Sequence, residues 1–577
     1  MFNHYFQQEL DNLKELGAEF SKAHPAVAPM LSGHSSDPDV DRLLEGVAFL
    51  TALLRQKLDD EFPEIIHELV RLIWPHYLRP LPSASVVAFT PKPILKQALT
   101  IPAGTQVAST PVEGTACVFQ TCYPVEVHPL KLLEASFVET SGQPSAIRLL
   151  LELSGLNLED WQPQALRFYL AGDFQAASDL YLLLRRYLTR ILIGAADNDS
   201  MVALTPENLK PLGFEPDEGI IPYPAHSFPG YRSIQEYFML PEKFLFLDLV
   251  GWDQWQDRGK DYRFEIRFEL NQIPAAPLRI KTGDFVLGAT PVINIFPFDA
   301  EPIRLDHRRT EYRVSPSGKK DAHYQVYTVE NVSGFVQGTA EERVYAPFEL
   351  YNAARTEAPV YQIKTRNSPV RPGFDVYLSV AYPPESGPPV AETLSIELLC
   401  TNGFLPEEIR TGDIAVPTSS TPGQVEFKNL RPPTSNILPP LGSDLLWRLI
   451  SHLSLNYASL SNTENLQKLL NLYLFKDARK PETFLANQKR VAGIQSVDTG
   501  GSDRLVSGIM MRGRDIKLEA RHDHFASPGD LFLFGSILDH FLGCYASINT
   551  FTRLTLREVT TGETYLWPAR LGDHPLI

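Results

Sequence analysis

Between residues 2 and 73 apolar side chains return every three or four positions, whereas from about residue 83 to 440 they come in short alternating runs broken by proline, glycine, asparagine and aspartate. The first pattern predicts helices with buried stripes. Phe2, Phe6, Leu10, Leu13, Leu16 and Phe20 share one side of a first helix, with Lys14, Glu15 and Lys22 directed away. Asp37 followed by Pro38 predicts the start of a second, since aspartate caps free amides and proline at the first helical position gives up no hydrogen bond. Its main face carries Val40, Leu43, Val47, Leu54 and Leu58, and at about 100° per residue Phe49 and Leu53 fall on nearly the opposite side. A helix with two apolar sides requires two neighbours. Pro63 predicts the start of a third helix, carrying Ile66, Leu69, Val70 and Ile73, which Pro75 ends. Two arrangements satisfy this pattern: a self-contained three-helix subdomain, or an arm whose faces are completed by a partner chain. In the second, the candidate partner-binding residues are Leu13, Leu16, Phe20, Leu43, Val47, Phe49, Leu53, Leu54 and Leu58.

Past Pro82 the period shortens. Residues 85–90 predict a first strand, and most of the chain's 47 prolines punctuate the short apolar runs that follow. Proline removes a ladder donor and glycine permits tight turns, so this stretch fits short antiparallel strands in sandwiches or open sheets. Phe264-Glu-Ile-Arg-Phe-Glu-Leu270 alternates apolar and charged side chains, predicting a strand with one wet face, and Phe374-Asp-Val-Tyr-Leu-Ser-Val380 is a second example. One helix interrupts, where Ser178 and Asp179 precede Leu180, Leu183, Leu184, Tyr187 and Ile191. Beyond Ser443 helical spacing returns, with Leu446, Leu449, Ile450 and Leu453, then Leu466, Leu469, Leu470 and Tyr473. A last helix is expected over 530–548, its stripe of Leu531, Leu538, Phe541, Leu542, Tyr545 and Ile548 packing on a small sheet that includes residues 551–556. The fold class is therefore α+β and multidomain. The expected divisions are an N-terminal helical bundle arm over 1–82, a β-rich, sandwich-like domain with an inserted helix over 83–280, a second β-rich domain over 281–440, and a mixed α/β C-terminal domain over 441–577.

Composition narrows the function. A chain of 577 residues with 44% hydrophobic content can bury several cores. The formal charge of -16, with no acidic tail, argues for solubility and against a nucleic-acid partner. Only four cysteines occur, at 117, 122, 400 and 544, which fits free, buried thiols in a reducing compartment. The residues after Met1 show no basic segment and no apolar core of a secretory signal, and no run reaches the roughly 20 apolar residues of a bilayer-spanning helix. The expected location is the cytoplasm, with any membrane association indirect.

Candidate chemistry is sparse. Asp498-Thr-Gly-Gly-Ser502 resembles one loop of an aspartic protease, but such a site needs two carboxylates sharing a proton and there is a single copy, so a surface loop is the better reading. His522 and His524 could hold a metal from an extended strand, but no third ligand stands at characteristic spacing, which favours a solvated polar turn. Cys117 and Cys122 lack the second ligand pair of a zinc ribbon and fit a strand pair instead. No nucleophile elbow, phosphate loop or dinucleotide fingerprint is present, so neither catalytic residues nor a cofactor or metal is expected. Residues 230–244 are the most aromatic stretch, with Tyr231, Tyr237, Phe238 and Phe244 beside Arg232, Glu236, Glu242 and Lys243; that mixture marks interfaces and buried corners alike.

Several segments also carry a resemblance. Glu15-Leu-Gly-Ala-Glu-Phe20, Asp37-Pro-Asp-Val-Asp-Arg-Leu-Leu-Glu45, Leu58-Asp-Asp-Glu-Phe-Pro63 and Pro75-His-Tyr-Leu-Arg-Pro80 resemble the N-terminal signature of the TssF family (also VasA or ImpG), baseplate subunits of the bacterial type VI secretion system. The likeness continues in order through Ile101-Pro-Ala-Gly-Thr105, residues 230–244, Thr290-Pro-Val-Ile-Asn-Ile-Phe296, Cys400-Thr-Asn-Gly-Phe-Leu-Pro406 and residues 447–456. It implies a structural subunit of a contractile, phage-like baseplate wedge. Its implied partners are a second TssF copy, TssG, TssK and a TssE-like subunit, with a VgrG-like spike and the membrane complex reached only indirectly. On that resemblance the N-terminal helices join a bundle with TssG and the second copy, and the chain is recruited to the inner membrane through the baseplate. The alternatives are a baseplate wedge protein of a contractile phage tail, and a cytoplasmic β-sandwich enzyme or carbohydrate-binding protein, which would need a concave site with convergent polar groups.

Overall fold

The computed structural model describes residues 2–24, 38–139, 142, 144–196, 200–223, 227–272, 279–318, 321–336, 342–348, 359–368, 373–382, 391–441, 445–454, 462–475, 481–506 and 509–572. The described helices are α1 (Phe2–Ala23), α2 (Pro38–Ile73), α3 (Phe174–Leu182), α4 (Gly230–Met239), α5 (Leu445–Ser454), α6 (Thr463–Leu472), α7 (Pro481–Ala492) and α8 (Pro528–Gly543). With seven sheets among the described residues the architecture is α+β. The chain divides into two compact units, Met1–Leu78 with Pro440–Ile450, and Arg79–Pro439 with Ser451–Ile577.

The first unit is helical. Pro38 opens α2 as expected, while Asp37 lies outside the described residues. The expected break at Pro63 does not occur, because α2 runs unbroken for 36 residues. Proline's fixed φ is itself helical, so within a long helix it removes one backbone hydrogen bond and crowds one carbonyl without dictating a stop. After Ile73 a turn over Pro75–Leu78 is locked by aromatic contacts: Trp74 stacks on Tyr77 at 3.8 Å between centroids, and its indole N–H lies 2.6 Å from His76 Nε2. Arg448 donates to the Tyr77 hydroxyl at 3.0 Å.

The second unit is built on antiparallel sheets. Its six-stranded sheet takes strands from 84–121, 289–293 and 414–429, and so gathers segments far apart in sequence around Val87, Phe89, Ile101, Phe119, Val292 and Phe427. The strand expected at 85–90 is Ala84–Pro91. A five-stranded sheet has Arg263–Leu270 at its centre, between Ser145–Leu153 and Leu188–Ala195. The charged face of Arg263–Leu270 is only partly wet: Arg263 and Arg267 reach solvent. Phe264, Ile266 and Phe268 are buried, and so are Glu265 and Glu269 on the charged side. The neighbouring strands supply arginines: Arg148 meets Glu265 at 2.5 Å, and Arg190 grips Glu269 with two hydrogen bonds of 2.8 and 3.1 Å. A buried carboxylate persists only where such donors replace water.

Three further expectations are corrected. The helix at 178 begins earlier, at Phe174, and ends at Leu182; after one wide turn the chain becomes the strand Leu188–Ala195, so Ile191 belongs to a sheet. Alternating Leu188, Ile191 and Ile193 against Arg263–Leu270 outweigh helical spacing there. The segment 498–502 is not a loop but part of the strand Ile494–Val506, paired in a long hairpin with Ile509–Ala520. Finally, α8 spans Pro528–Gly543, short of Tyr545 and Ile548, and it is buried on every side instead of along one stripe. It packs on Thr550–Glu558, on α3 and on α4. Ser527 caps it by accepting from the Asp530 amide at 3.2 Å, and Pro528 occupies its first turn.

The start of α8 meets α3 at close range. Ser178 and Ser527 hydroxyls lie 3.2 Å apart, and the Gly529 amide donates to Asp179 Oδ1 at 2.9 Å. A Cβ at 529 would overlap the Ser178 carbonyl, which is backbone and cannot swing aside. Gly529→Ala is therefore expected to destabilise the chain by about 2 kcal/mol or more, measured by denaturant unfolding, although the same substitution in an open helix is stabilising.

Candidate interaction surfaces

The two long helices pair through small residues. Ala48 and Ala52 of α2 have no exposed surface, and Arg55, on the same side one turn later, forms an ion pair with Glu9 of α1. On α1, Phe6, Leu10 and Leu13 are half-buried, and buried Ser21 donates to the Gly17 carbonyl at 2.8 Å. Small side chains let helix backbones approach. The alanine seam carried the signal for this pairing, and reading only large apolar residues passes over it.

The large residues of α2 point elsewhere. Leu43, Leu50 and Leu54 are 70%, 62% and 64% exposed, and Val47 is 48% exposed, all on the side opposite Ala48 and Ala52. Phe49 and Leu53 form a flanking surface, about half exposed. On α1, Leu16 and Phe20 are exposed. The side chain of Leu58 lies outside the described residues. Singly exposed leucines are ordinary, whereas these four residues form one contiguous apolar stripe on a single helix.

The other candidates are occupied by structural roles. Cys117 and Cys400 are buried free thiols, and burial pushes their pKa up to about 11 and about 12, which keeps them protonated and unreactive. Cys122 is likewise a free thiol, shifted upward by burial. His522 and His524 stand on a short turn, with His522 Nδ1 2.8 Å from Glu558 and His524 Nδ1 2.8 Å from the Lys489 carbonyl. Among the described residues no group of three or more His, Cys, Asp or Glu side chains is placed to hold a metal, and no helix is long and apolar enough to cross a membrane.

The family model described as Type VI secretion system, TssF, matches residues 1–574. The chain belongs to the TssF family. It is 30% identical to the type VI secretion system component TssF1 of Pseudomonas aeruginosa, over 99% of this chain and 98% of that one. Its fold is similar, with a TM-score of 0.79 and 29% identity over 93% of this chain and 99% of the other, to a chain in the cryo-electron microscopy structure of the type VI secretion system TssK-TssF-TssG baseplate subcomplex. A chain in the structure of the baseplate complex from the type VI secretion system matches with a TM-score of 0.62 and 25% identity, each chain covered in full.

In this TssF-family chain the aromatic segment 230–244 is core. It forms α4 and a short turn over Pro241–Phe244, and Tyr231, Tyr237, Phe238 and Phe244 are all buried. Within it Glu236 and Lys243 make a buried ion pair, and Glu236 also accepts from the amides of Ile220 and Ile221 at 2.8 and 2.9 Å. That pair fixes the preceding loop to the helix, which accounts for the charges among the aromatics.

The turn at 522–524 has a measurable pH signature. Burial pushes the Glu558 carboxyl up, but hydrogen bonds from the Thr561 amide, the His522 ring and the Thr561 hydroxyl outweigh it and hold the group well below the usual carboxylate range. A carboxylate depressed in the folded state stabilises fully above its unfolded pKa of about 4.3, and that stability disappears as pH falls toward the folded value. Glu558→Gln is expected to lower stability at pH 7 and to flatten its decline below about pH 5, read from denaturant midpoints across pH.

Proposed function

We infer that the chain is a non-catalytic structural subunit of the type VI secretion baseplate wedge, and that α1 and α2 are its joint to other subunits. The observation that carries this reading is the inversion of α2. Its alanines face its own chain and its leucines face outward, whereas a helix serving only its own core places the larger side chains inward. Burying a leucine contributes about 1.5–3 kcal/mol, so the stripe of Leu43, Val47, Leu50 and Leu54 holds several kcal/mol that only an added neighbour can realise.

Membership of the TssF family and the similarity to chains in TssK-TssF-TssG and whole-baseplate structures support the class of partner. The stripe on α2 suits helices of a TssG-like subunit, with Phe49, Leu53, Leu16 and Phe20 meeting a second copy of this chain. TssK and TssE-like subunits would attach to the β-rich body, and the VgrG-like spike and the membrane complex would be reached through them, drawing a cytoplasmic chain to the inner membrane. In this reading the proline-rich joints near residues 80, 280 and 440 separate an arm over 1–82 from bodies over 83–280, 281–440 and 441–577. A baseplate must hold a loaded sheath and then rearrange, which calls for interfaces with alternative packings.

Leu43→Glu, Val47→Glu and Leu54→Glu are each expected to abolish co-purification with a TssG-like partner. Because these side chains are exposed, the thermal unfolding of the isolated chain should move by less than about 0.5 kcal/mol in stability. A complex that survives all three substitutions would sink the arm as the joint.

A further inference from the structure

Inside the second unit, the end of α4 walls a cavity that is separate from the arm. Its volume is about 300 Å³, and it is lined by α4, α7, the residues after α6 and the extended segment 431–437. Ligand pockets run from roughly 300 to 1,000 Å³, so this one has room for a single large side chain. Phe238, Leu240 and Leu474 are buried in its wall, while Phe475 and Phe484 are half-exposed and mark its mouth.

One polar group in the lining is left over. Gln235 is 1% exposed, yet its side-chain oxygen accepts no hydrogen bond from any described residue. A buried acceptor without a donor costs about 1–3 kcal/mol, which marks a place where a ligand atom is missing. The charged and amide side chains around it are engaged with one another or with the main chain. Arg431 holds Glu242 at 3.0 Å and donates to the Gly172 carbonyl at 3.2 Å. Asn487 donates to the Phe238 carbonyl at 3.1 Å and accepts from Arg490 at 2.7 Å.

The cavity therefore offers an acceptor and calls for a donor. It lies at the C-terminal end of α4, where the last carbonyls of a helix carry partial negative charge. A cationic donor fits poorly, because Glu242 is already neutralised and a second cation would enter beside Arg431. Because Gln235 is far less exposed than the two phenylalanines at the mouth, a side chain reaches it where a main-chain amide does not. What fits is a large apolar body carrying one neutral N–H. The indole of tryptophan has that composition, a donor with no acceptor on a ring that contributes most when buried.

We propose that this cavity anchors the tryptophan side chain of a partner protein, with the indole N–H donating to Gln235 Oε1 and the ring packed against Phe238, Phe475 and Phe484. The anchor uses no residue of α1 or α2, so Leu43→Glu leaves it intact. A ligand-observed NMR titration of the full-length chain with a capped pentapeptide, one tryptophan among glycines and serines, tests it. The expected result is saturable binding that weakens about tenfold when 1-methyltryptophan, which lacks the N–H, replaces tryptophan. In Gln235→Leu that preference should vanish, and Phe484→Ala should weaken both peptides. The first substitution removes an unpaired buried acceptor and the second a half-exposed ring, so unfolding temperatures near that of the parent are expected and establish that each variant is folded. Absence of saturable binding, equal affinity for the 1-methyl peptide, or a preference that persists in Gln235→Leu overturns the proposal. So does equal affinity for a peptide centred on tyrosine or arginine. Tighter binding of free tryptophan than of the peptide would also overturn it, since the cavity would then be a small-molecule site.

Discussion

Asp530 has no exposed surface, sits in the first turn of a helix that is itself buried, and carries a charge that three other segments must satisfy. Tyr237 of α4 donates to one oxygen at 3.0 Å; Arg490 of α7 donates to the other at 2.9 Å, and so does the Ala526 amide at 3.0 Å. Removing any one donor would leave a buried anion short of partners, a loss of several kcal/mol. Because the donors come from residues 237, 490 and 526, this one carboxylate requires the middle and the end of the chain to arrive together. Asn487, one turn before Arg490, extends the same junction by donating to the Phe238 carbonyl at 3.1 Å.

What Asp530 fixes at one end of α8, close packing fixes along its length. Ser536 accepts from the Trp567 indole at 3.1 Å, and Asp539 takes two hydrogen bonds from Arg570 at 2.9 and 3.2 Å. At Gly535 a Cβ would collide with Trp567 and crowd Leu556, so the helix lies directly on the terminal sheet. A helix apolar all round is stable only when covered all round. Here α3, α4 and the sheet ending in Thr550–Glu558 supply that cover. The C-terminal sheet is held in place by the same element that the middle of the chain encloses, and its far, polar end is left open beside Arg512 and Arg514.

Periodicity made much of this legible and missed the rest for identifiable reasons. The strand Ala84–Pro91, buried on both faces, follows from its short apolar run, and the buried Leu466, Leu469, Leu470 and Tyr473 follow from helical spacing with one clear apolar face. Helix α7 has only Phe484, Leu485, Val491 and its alanines as apolar residues, and its key contacts are made by Asn487 and Arg490, so polarity hid it. Glu265 and Glu269 look solvated in sequence because Arg148 and Arg190, which pair with them across the sheet, lie some 80 to 120 residues away. Pro63 looks like a boundary because local rules treat proline as a stop, whereas a long helix can absorb one lost hydrogen bond. In each case the deciding partner is distant in sequence or small.

The same lesson applies to the helical surface. Large apolar residues on α2 were visible from spacing, but not which of its sides the chain itself would use. Ala48 and Ala52 decide that, since small side chains allow the close approach seen with α1 and leave the leucines on the outer side. An isolated monomer gains nothing from this choice, because exchanging alanine and leucine positions would bury more apolar area within the chain. The arrangement gains only when further helices cover the outer side. A joint assembled from separate chains needs each chain to fold first and to keep its adhesive face exposed until its partner arrives. Folding on alanine and assembling on leucine separates those two steps within one helix.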